Sequence, residues 1–283
     1  MYHAKQIGRN TFQFFTSRMN VEANQRLHAE FNIKQGFEQN QFINHYQPVV
    51  DSVTGKAKGA ELLMRWQRKD KLIMPDEFIS IAEEIALIIP MTEAAIRRGL
   101  ADLKEWRKQR DGLFLFVNLA AIHFSKDSLV PFLQDIIKEF DLPANALKLE
   151  VTESTLIKEP HKVIERMHAL TKLGVSLALD DFGTGYSSLN YLKQLPLDVL
   201  KIDRSFISGI GVDSADEAIV EATLVLANNL CMNCIAEGFE TKEQLAYLAE
   251  IKCYAIQGYL YSKPVDAKTI MQYLIDDTVD ITI

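Results

Sequence analysis

The feature that most constrains the fold is an alternation of short apolar runs with amphipathic stretches from His45 onward. Eight of these runs have the length and composition of buried strands. They are His45–Val50, Gly59–Met64, Leu113–Leu119, Ala146–Val151, Val175–Leu179, Asp198–Ile202, Met232–Ala236 and Tyr254–Tyr261. Stretches with helical periodicity, such as Thr92–Arg110 and Ala215–Leu230, lie between them. Eight strand runs alternating with helices over about 240 residues predict an α/β fold of the (β/α)8, or TIM, barrel type.

An open, doubly wound sheet is the main alternative arrangement of alternating strands and helices. That fold often carries the phosphate-binding pattern G-x-G-x-x-G directly after its first strand. No such pattern follows the run that ends at Val50. The barrel is therefore the favoured interpretation.

Composition indicates which partners the chain is suited to bind. The formal charge is −7 at pH 7, with 48% hydrophobic and 24% charged residues. We therefore expect no DNA or RNA to bind, because a nucleic-acid polymer needs a basic surface. The longest apolar runs fall well short of the roughly 18 residues that span a bilayer, and three cysteines are too few for a disulfide framework. We expect a cytoplasmic domain without membrane contact of its own, although upstream segments could tether a full-length protein.

Residues 1–41 precede the first predicted strand and divide into two parts. The segment 17–41 is polar and helix-prone, without glycine or proline before Gly36, and we interpret it as a linker helix that leads into a barrel at 42–283. Before it, MYHAKQIGRNTFQFF has the pattern of a short helix, a Gly–Arg–Asn break and an alternating strand. This segment resembles the end of GGDEF, or diguanylate cyclase, domains. The resemblance implies that residues 1–16 are the tail of an upstream GGDEF-like domain.

The stretch VSLALDDFGTGYSSLNY at 175–191 carries the most distinctive polar cluster. A buried strand run ends there in Asp180 and Asp181, and Gly183 follows almost at once. Because neighbouring residues of a strand point in different directions, the two carboxylates can serve two adjacent cations. Two adjacent acids also repel each other unless a cation keeps both ionised. A solvated Asp–Asp turn is the alternative, and these residues alone do not decide between the two.

Polar side chains also stand at the carboxyl ends of the other predicted strands, which is where TIM barrels carry their chemistry. The set comprises Glu61, Asn118, Glu150, Asp180 with Asp181, Lys201 with Asp203, Glu237 and Gln257. Ionised groups inside apolar runs must pair or hold a metal, because burying them alone is very costly. For any single position a structural ion pair is the alternative. Seven successive polar strand ends favour one common site.

These strand ends have the chemistry of a site for two hard divalent cations. Four of the residues offer oxygen ligands that suit Mg²⁺ or Mn²⁺: Glu61, Asn118, Glu150 and Asp180. Asp181 and Glu237 could hold a second ion, and Lys201 would add a fixed positive charge for an anionic transition state. Two-metal hydrolysis of a phosphodiester is the reaction class that this set favours.

The segments that contain these residues occur in an order typical of one family. They are HYQPVVDSVTGKAKGAELLMRW, VNLA, LEVTES, DDFGTGYSSL, KIDRSFI, AEGFET and QGYLYSKP. Together they resemble EAL domains, the bacterial cyclic di-GMP phosphodiesterases, from His45 to Val265. The resemblance implies a modified TIM barrel, cyclic di-GMP as the ligand and two Mg²⁺ or Mn²⁺ ions as cofactors.

The resemblance also implies roles for the acids and the lysine. Six residues match the metal positions of the family: Glu61, Asn118, Glu150, Asp180, Asp181 and Glu237. Lys201 matches the lysine near the hydrolytic water, and Glu237 is also a candidate general base. The expected catalytic set is therefore Glu61, Asp180, Asp181, Lys201 and Glu237.

Four further positions match the family outside the metal ligands. Leu63 and Arg65 match the Glu-x-Leu signature and the arginine after it, and both are expected to bind substrate, Arg65 through a phosphate. Gln257 resembles a glutamine of the outer shell or of the guanine side. Glu153 resembles the glutamate that anchors the loop at 182–188, which in the family couples dimer contacts to metal binding.

Three functions remain open from the sequence. One is hydrolysis of cyclic di-GMP to linear pGpG, with Asp180 shared between two metal ions. Another is a catalytically silent sensor that binds cyclic di-GMP and reports it to a partner. The third, less favoured, is a metal-dependent hydrolase that acts on a different phosphodiester. Family members that only bind the nucleotide usually lack one or more of the acids, and none is missing here, so hydrolysis is favoured. A homodimer through the helix near Ser187–Leu195 is also expected from the resemblance.

Overall fold

The computed structural model describes residues 17–158, 160–183 and 192–275. Its strands are β1 (Phe42–Val50), β2 (Ala57–Arg68), β3 (Lys71–Ile73), β4 (Phe114–Asn118), β5 (Leu147–Thr152), β6 (Ser176–Phe182), β7 (Val199–Ile202), β8 (Asn233–Glu237) and β9 (Ala255–Gln257). Its α-helices are α1 (Ser17–Glu38), α2 (Ile79–Glu84), α3 (Ile88–Gln109), α4 (Ala121–Phe124), α5 (Leu129–Phe140), α6 (Glu153–Lys158), α7 (Pro160–Lys172), α8 (Arg204–Ile207), α9 (Ser214–Asn229), α10 (Lys242–Glu250) and α11 (Ala267–Ile275). Single 3-10 turns occur at Pro75–Glu77 and Ala144–Ala146. The predicted GGDEF-like tail at 1–16 lies outside the described residues.

Eight of the strands close into a barrel. The strands β2, β4, β5, β6, β7, β8 and β9 pair side by side in parallel. β1 pairs antiparallel with both β2 and β9 and thereby completes the ring. β3 forms a short hairpin with the end of β2. The predicted α/β barrel of the TIM type is confirmed, and one antiparallel strand is its modification.

The ends of several predicted elements differ from the structure for identifiable reasons. The predicted run Tyr254–Tyr261 yields a strand only at Ala255–Gln257. Gly258 follows this strand and is closely packed against Phe239: a Cβ at this position would lie 2.1 Å from the carbonyl oxygen of Phe239. At the other end of the chain, α1 stops at Glu38, and Asn40 takes a left-handed conformation with φ 54°. Within the described ranges, every helix is too short or too polar to cross a lipid bilayer.

An apolar floor inside the barrel fixes where the polar side chains lie. The floor is formed by Val49, Phe114, Phe116, Ala178, Val199, Ile235 and Ala255, all buried. Side chains of a strand alternate between its two faces, so the residue two positions further along points to the same interior. On β4, β6, β7, β8 and β9 those next interior residues are Asn118, Asp180, Lys201, Glu237 and Gln257. The alternation therefore stacks a polar layer on top of the apolar floor, at the carboxyl ends of the parallel strands.

Candidate active site

Acidic side chains from four strands meet in this polar layer. Two groups of three acids each bring one ligand oxygen per residue within 4.8 Å of one another. The first group is Glu61, Glu150 and Glu237, and the second is Asp180, Asp181 and Glu237. Because Glu237 belongs to both groups, they are two adjoining halves of one acidic ring. The sequence prediction placed all five acids at one rim, and the structure brings them together.

Lys201 is the cation among these acids. Its side chain is completely buried, and Nζ lies 2.5 Å from Glu150 Oε1 and 3.6 Å from an oxygen of both Glu61 and Asp180. Nζ also forms an ion pair with Glu237 Oε1. Desolvation lowers the pKa of the Lys201 ammonium, but the four carboxylates outweigh this effect and hold the pKa above its usual value. Lys201 is therefore charged at neutral pH.

The acids carry more negative charge than Lys201 balances. Five carboxylates and one ammonium leave a formal charge of −4, which two divalent cations would neutralise. Burial and the neighbouring acids raise the pKa of Glu150 well above its usual range, and burial raises the pKa of Glu237 to about 8. Glu150 Oε2 has no hydrogen-bond partner within the described part of the chain. A ring of hard oxygen donors whose negative charge exceeds that of its ammonium partner fits divalent cations such as Mg²⁺ or Mn²⁺.

A backbone irregularity places the adjacent aspartates at the same site. The pairing of β6 with β7 shifts register between Leu179 and Phe182, and Asp181 takes a left-handed conformation with φ 55°. Asp180 is buried inside the barrel, whereas Asp181 lies exposed at the rim. Desolvation of the carboxylate, followed by the charges of Asp180 and Asp203, raises the pKa of Asp181 to about 6. A bulge of this kind re-aims side chains, so both carboxylates reach one ring.

Two amides hold the carboxylate of Glu61. Asn118 Nδ2 donates to Glu61 Oε1 at 2.7 Å, and Gln257 Nε2 donates to Glu61 Oε2 at 2.5 Å. Gln257 Nε2 also donates to Gln47 Oε1 at 3.0 Å, and Gln47 lies opposite Glu61 in the pairing of β1 with β2. These contacts indicate that Gln257 orients the carboxylate of Glu61.

Gln47 is a site residue that strand-end reasoning missed. It is buried, and its Nε2 donates to the carbonyl oxygen of Ser262 at 3.0 Å. Because β1 runs antiparallel to the other barrel strands, the middle of β1, rather than its carboxyl end, faces the acidic ring. The signal that was available is Gln47 itself, a glutamine inside the predicted strand run His45–Val50.

Asp203 has a different role from the other polar strand ends. Its Oδ1 accepts from the backbone N–H of Ser205 at 3.0 Å, so it caps the N-terminus of α8. Helix capping accounts for its position directly after β7. Its charge still reaches the rim, where it contributes to the raised pKa of Asp181.

Glu153 contacts the start of the loop that follows Asp181. Its side chain is buried, and Oε1 accepts from the backbone N–H of Gly183 at 3.2 Å. Gly183 has φ 100°, and a Cβ there would lie 2.8 Å from the ring of Phe206. Residues 184–191 lie outside the described residues, so the loop-anchoring role of Glu153 and the dimer helix near Ser187–Leu195 stay predictions.

A cavity of about 690 Å³ opens beside the acidic ring. Its wall includes Leu63 on β2 and Asn118, Asp180 and Asp181 of the polar layer. Arg65, two residues beyond Leu63, is buried, and its Nη1 donates to the carbonyl oxygen of Met64 at 2.9 Å. The volume lies within the roughly 300–1,000 Å³ typical of small-molecule sites. A ligand in this cavity would lie against the acids.

The comparison with known proteins identifies the family. The family model of the EAL domain matches residues 31–264 of this chain. The chain belongs to the EAL domain family. The carboxylate ring and the adjoining cavity are therefore features of an EAL barrel.

Relatives of this EAL domain have named activities. It is 38% identical over 276 residues to the cyclic di-GMP phosphodiesterase NbdA of Pseudomonas aeruginosa, which covers 97% of this chain and 35% of NbdA. It is 37% identical over 273 residues to MucR of the same species, a bifunctional diguanylate cyclase/cyclic di-GMP phosphodiesterase, which covers 96% of this chain and 40% of MucR. The solved PaMucR phosphodiesterase in complex with c-di-GMP has a TM-score of 0.81 and 36% identity, covering 87% of this chain and 99% of that chain. The chain thus spans less than half the length of these curated relatives.

Proposed function

We propose that this EAL domain hydrolyses cyclic di-GMP to linear pGpG with two bound divalent cations. The observation that supports this most is the pair of acid triads that share Glu237 around the buried Lys201. NbdA and MucR, named as cyclic di-GMP phosphodiesterases, are 38% and 37% identical to this chain. The solved PaMucR phosphodiesterase is a c-di-GMP complex, which supports cyclic di-GMP as the ligand of the cavity.

The residues divide between two cation positions. One set is Glu61, Asn118, Glu150 and Asp180, and the other is Asp180, Asp181 and Glu237. The bound cations would lower the pKa of a water molecule and neutralise charge on the phosphodiester. Carboxylate and amide oxygens favour hard ions, so Mg²⁺ or Mn²⁺ is the expected occupant.

Two side chains of the ring have additional roles in the proposed reaction. Lys201 stays protonated, so its ammonium can stabilise negative charge that develops on a phosphoryl oxygen, and losing one such group typically costs ~10²–10³ in rate. Glu237 is partly exposed at the mouth, and burial raises its pKa to about 8. A carboxylate with a raised pKa is better matched to accept a proton near neutral pH, which makes Glu237 the candidate general base.

The test is chromatography of cyclic di-GMP after incubation with this chain and Mg²⁺ or Mn²⁺. We expect pGpG from the wild-type protein and a loss of at least about 10²-fold for Asp180→Asn. Asp111→Asn, which changes an exposed aspartate before the start of β4, at the opposite end of that strand from Asn118, serves as the matched control and should keep wild-type turnover. Binding of cyclic di-GMP without formation of pGpG at saturating metal would refute hydrolysis and indicate a sensor.

A further inference from the structure

The cavity beside the acidic ring has a second end that the proposed chemistry does not use. The hairpin of β2 and β3 sets Ile73 opposite Trp66, so the chain turns back along β2 before α2 begins. The segment Pro75–Glu83 therefore borders the cavity that Asp180 and Asp181 line on another side. A ligand long enough to reach from the acids to this segment would fill the cavity.

The second end combines apolar walls with carboxylates. Ile79 and Ile88 line it, and the carboxylates at its edge are Asp76 and Glu83, both on exposed residues. Flat aromatic ligands such as purine bases fit between apolar walls, and a polar group at the edge then fixes their orientation. The walls and the edge together are suited to one base of a dinucleotide.

Asp76 is the better placed of the two carboxylates. It belongs to the 3-10 turn that follows the hairpin directly, and its charge acts on the guanidinium of Arg65 on β2. The structure shows no hydrogen bond to Asp76 within the described residues, so its two oxygens can accept from a ligand. Glu83 lies further along, on α2. Of these two carboxylates, Asp76 is the one whose charge reaches Arg65, the expected phosphate contact.

We propose that Asp76 selects guanine at this second end by accepting hydrogen bonds from the N1–H and 2-amino groups of the base. The proposal rests on the proposed function, because it takes cyclic di-GMP as the substrate. Guanine presents these two donors side by side, and a carboxylate presents two matching acceptors. Adenine presents an acceptor at N1, so it would place a lone pair against the carboxylate. Asp76 is thus a specificity-determining residue.

The test compares cyclic di-GMP with cyclic di-IMP, which keeps N1–H but lacks the 2-amino groups. A charge-assisted hydrogen bond typically accounts for about 10- to 100-fold in affinity. We expect Asp76→Ala to lower kcat/KM for cyclic di-GMP by about that factor, mainly through KM, and to lower kcat/KM for cyclic di-IMP less. The ratio of kcat/KM for cyclic di-GMP to kcat/KM for cyclic di-IMP should therefore fall by about tenfold. The second base also changes between substrates, but its effect is common to both enzymes and cancels in the ratio.

Glu83→Ala is the matched control, because Glu83 borders the same end of the cavity. It should keep the wild-type ratio. An unchanged ratio in Asp76→Ala, or a ratio lost in Glu83→Ala instead, would overturn the assignment. If the wild-type protein hydrolyses neither nucleotide, the proposed function is refuted, and this outcome is distinct from a failure of the Asp76 proposal. Calorimetric binding of the two nucleotides to wild type and Asp76→Ala with Mg²⁺ then still decides the role of Asp76.

Discussion

Replacing Lys201 by methionine should reveal how much the acidic ring depends on the ammonium group that pairs with its carboxylates. The substitution keeps the length of the side chain and removes the charge. In the structure, Nζ lies within 4 Å of an oxygen of Glu61, Glu150, Asp180 and Glu237. Without Lys201, and without metal, these carboxylates repel one another, because Lys201 is the cation that acts on both Glu150 and Glu237 in the described part of the chain.

The size of the effect follows from burial. Removing one partner of a buried ion pair typically lowers the free energy of unfolding by about 3–5 kcal/mol. For a domain of this size, 1 kcal/mol corresponds to about 2–4 °C, so the Tm of the metal-free protein should fall by about 6–20 °C. Proton uptake by Glu150 and Glu237, whose pKa values are already raised, limits the loss. Because the folded state then binds protons that the unfolded chain has released, the loss should be larger at about pH 8 than at about pH 6.

The assay is thermal unfolding of wild type and Lys201→Met in chelator and in excess Mg²⁺, at both pH values. Lys148→Met is the matched control, because Lys148 is also a barrel-strand lysine, on β5. Its Nζ donates to Ser176 Oγ at 3.2 Å and lies 4.9 Å from the centre of the Phe114 ring. No carboxylate oxygen among the described residues lies within 4.0 Å of it. Lys148→Met should cost about 1 kcal/mol, independent of metal. A metal-free Lys201→Met protein that melts within 2 °C of wild type at about pH 8 would refute the reasoning.

Three further predictions concern pH, the loop and the outer core. The free energy of unfolding of the metal-free protein should fall as pH rises from about 5 through about 8, because burial raises the pKa of Glu237 to about 8. Thermal unfolding over a pH series should show this slope, and saturating Mg²⁺ should abolish it. Gly183→Ala should cost about 1–3 kcal/mol at φ 100° and weaken Mn²⁺ binding in a titration, whereas Gly112→Ala, at φ 81° in open space, should leave Mn²⁺ affinity unchanged. Tyr46→Phe removes a buried hydroxyl that donates to Asp102, and should lower stability by about 1–3 kcal/mol with kcat intact, which melts and turnover would check.

The acids of the site could be predicted because barrel geometry converts strand ends into neighbours. Glu150, Asp180 and Glu237 are separated widely in sequence, but each stands near the carboxyl end of a parallel strand. Parallel strands in a closed barrel end at one rim, so their convergence follows without any knowledge of distances. The positions of Asn118 and Lys201 follow in the same way.

Other features depend on tertiary structure that a local pattern does not contain. The run His45–Val50 looks the same whichever way the strand points, so the antiparallel direction of β1 and the position of Gln47 were not predictable from it. Regular strand geometry predicts that Asp180 and Asp181 point in different directions, but it does not contain the left-handed conformation of Asp181 or the register shift of β6 beside it. The border of the cavity at Pro75–Glu83 depends on β3, whose three residues are too few to show a period.

Counting the divalent ions that the chain binds tests the central proposal most directly. Titration of metal-free protein with Mn²⁺, followed by electron paramagnetic resonance of the free ion, should give two bound ions per chain. Asp181→Asn should reduce the count towards one, because Asp181 belongs to only one of the two acid groups. A wild-type protein that binds no Mn²⁺, or a single ion, at saturation would contradict a two-cation ring.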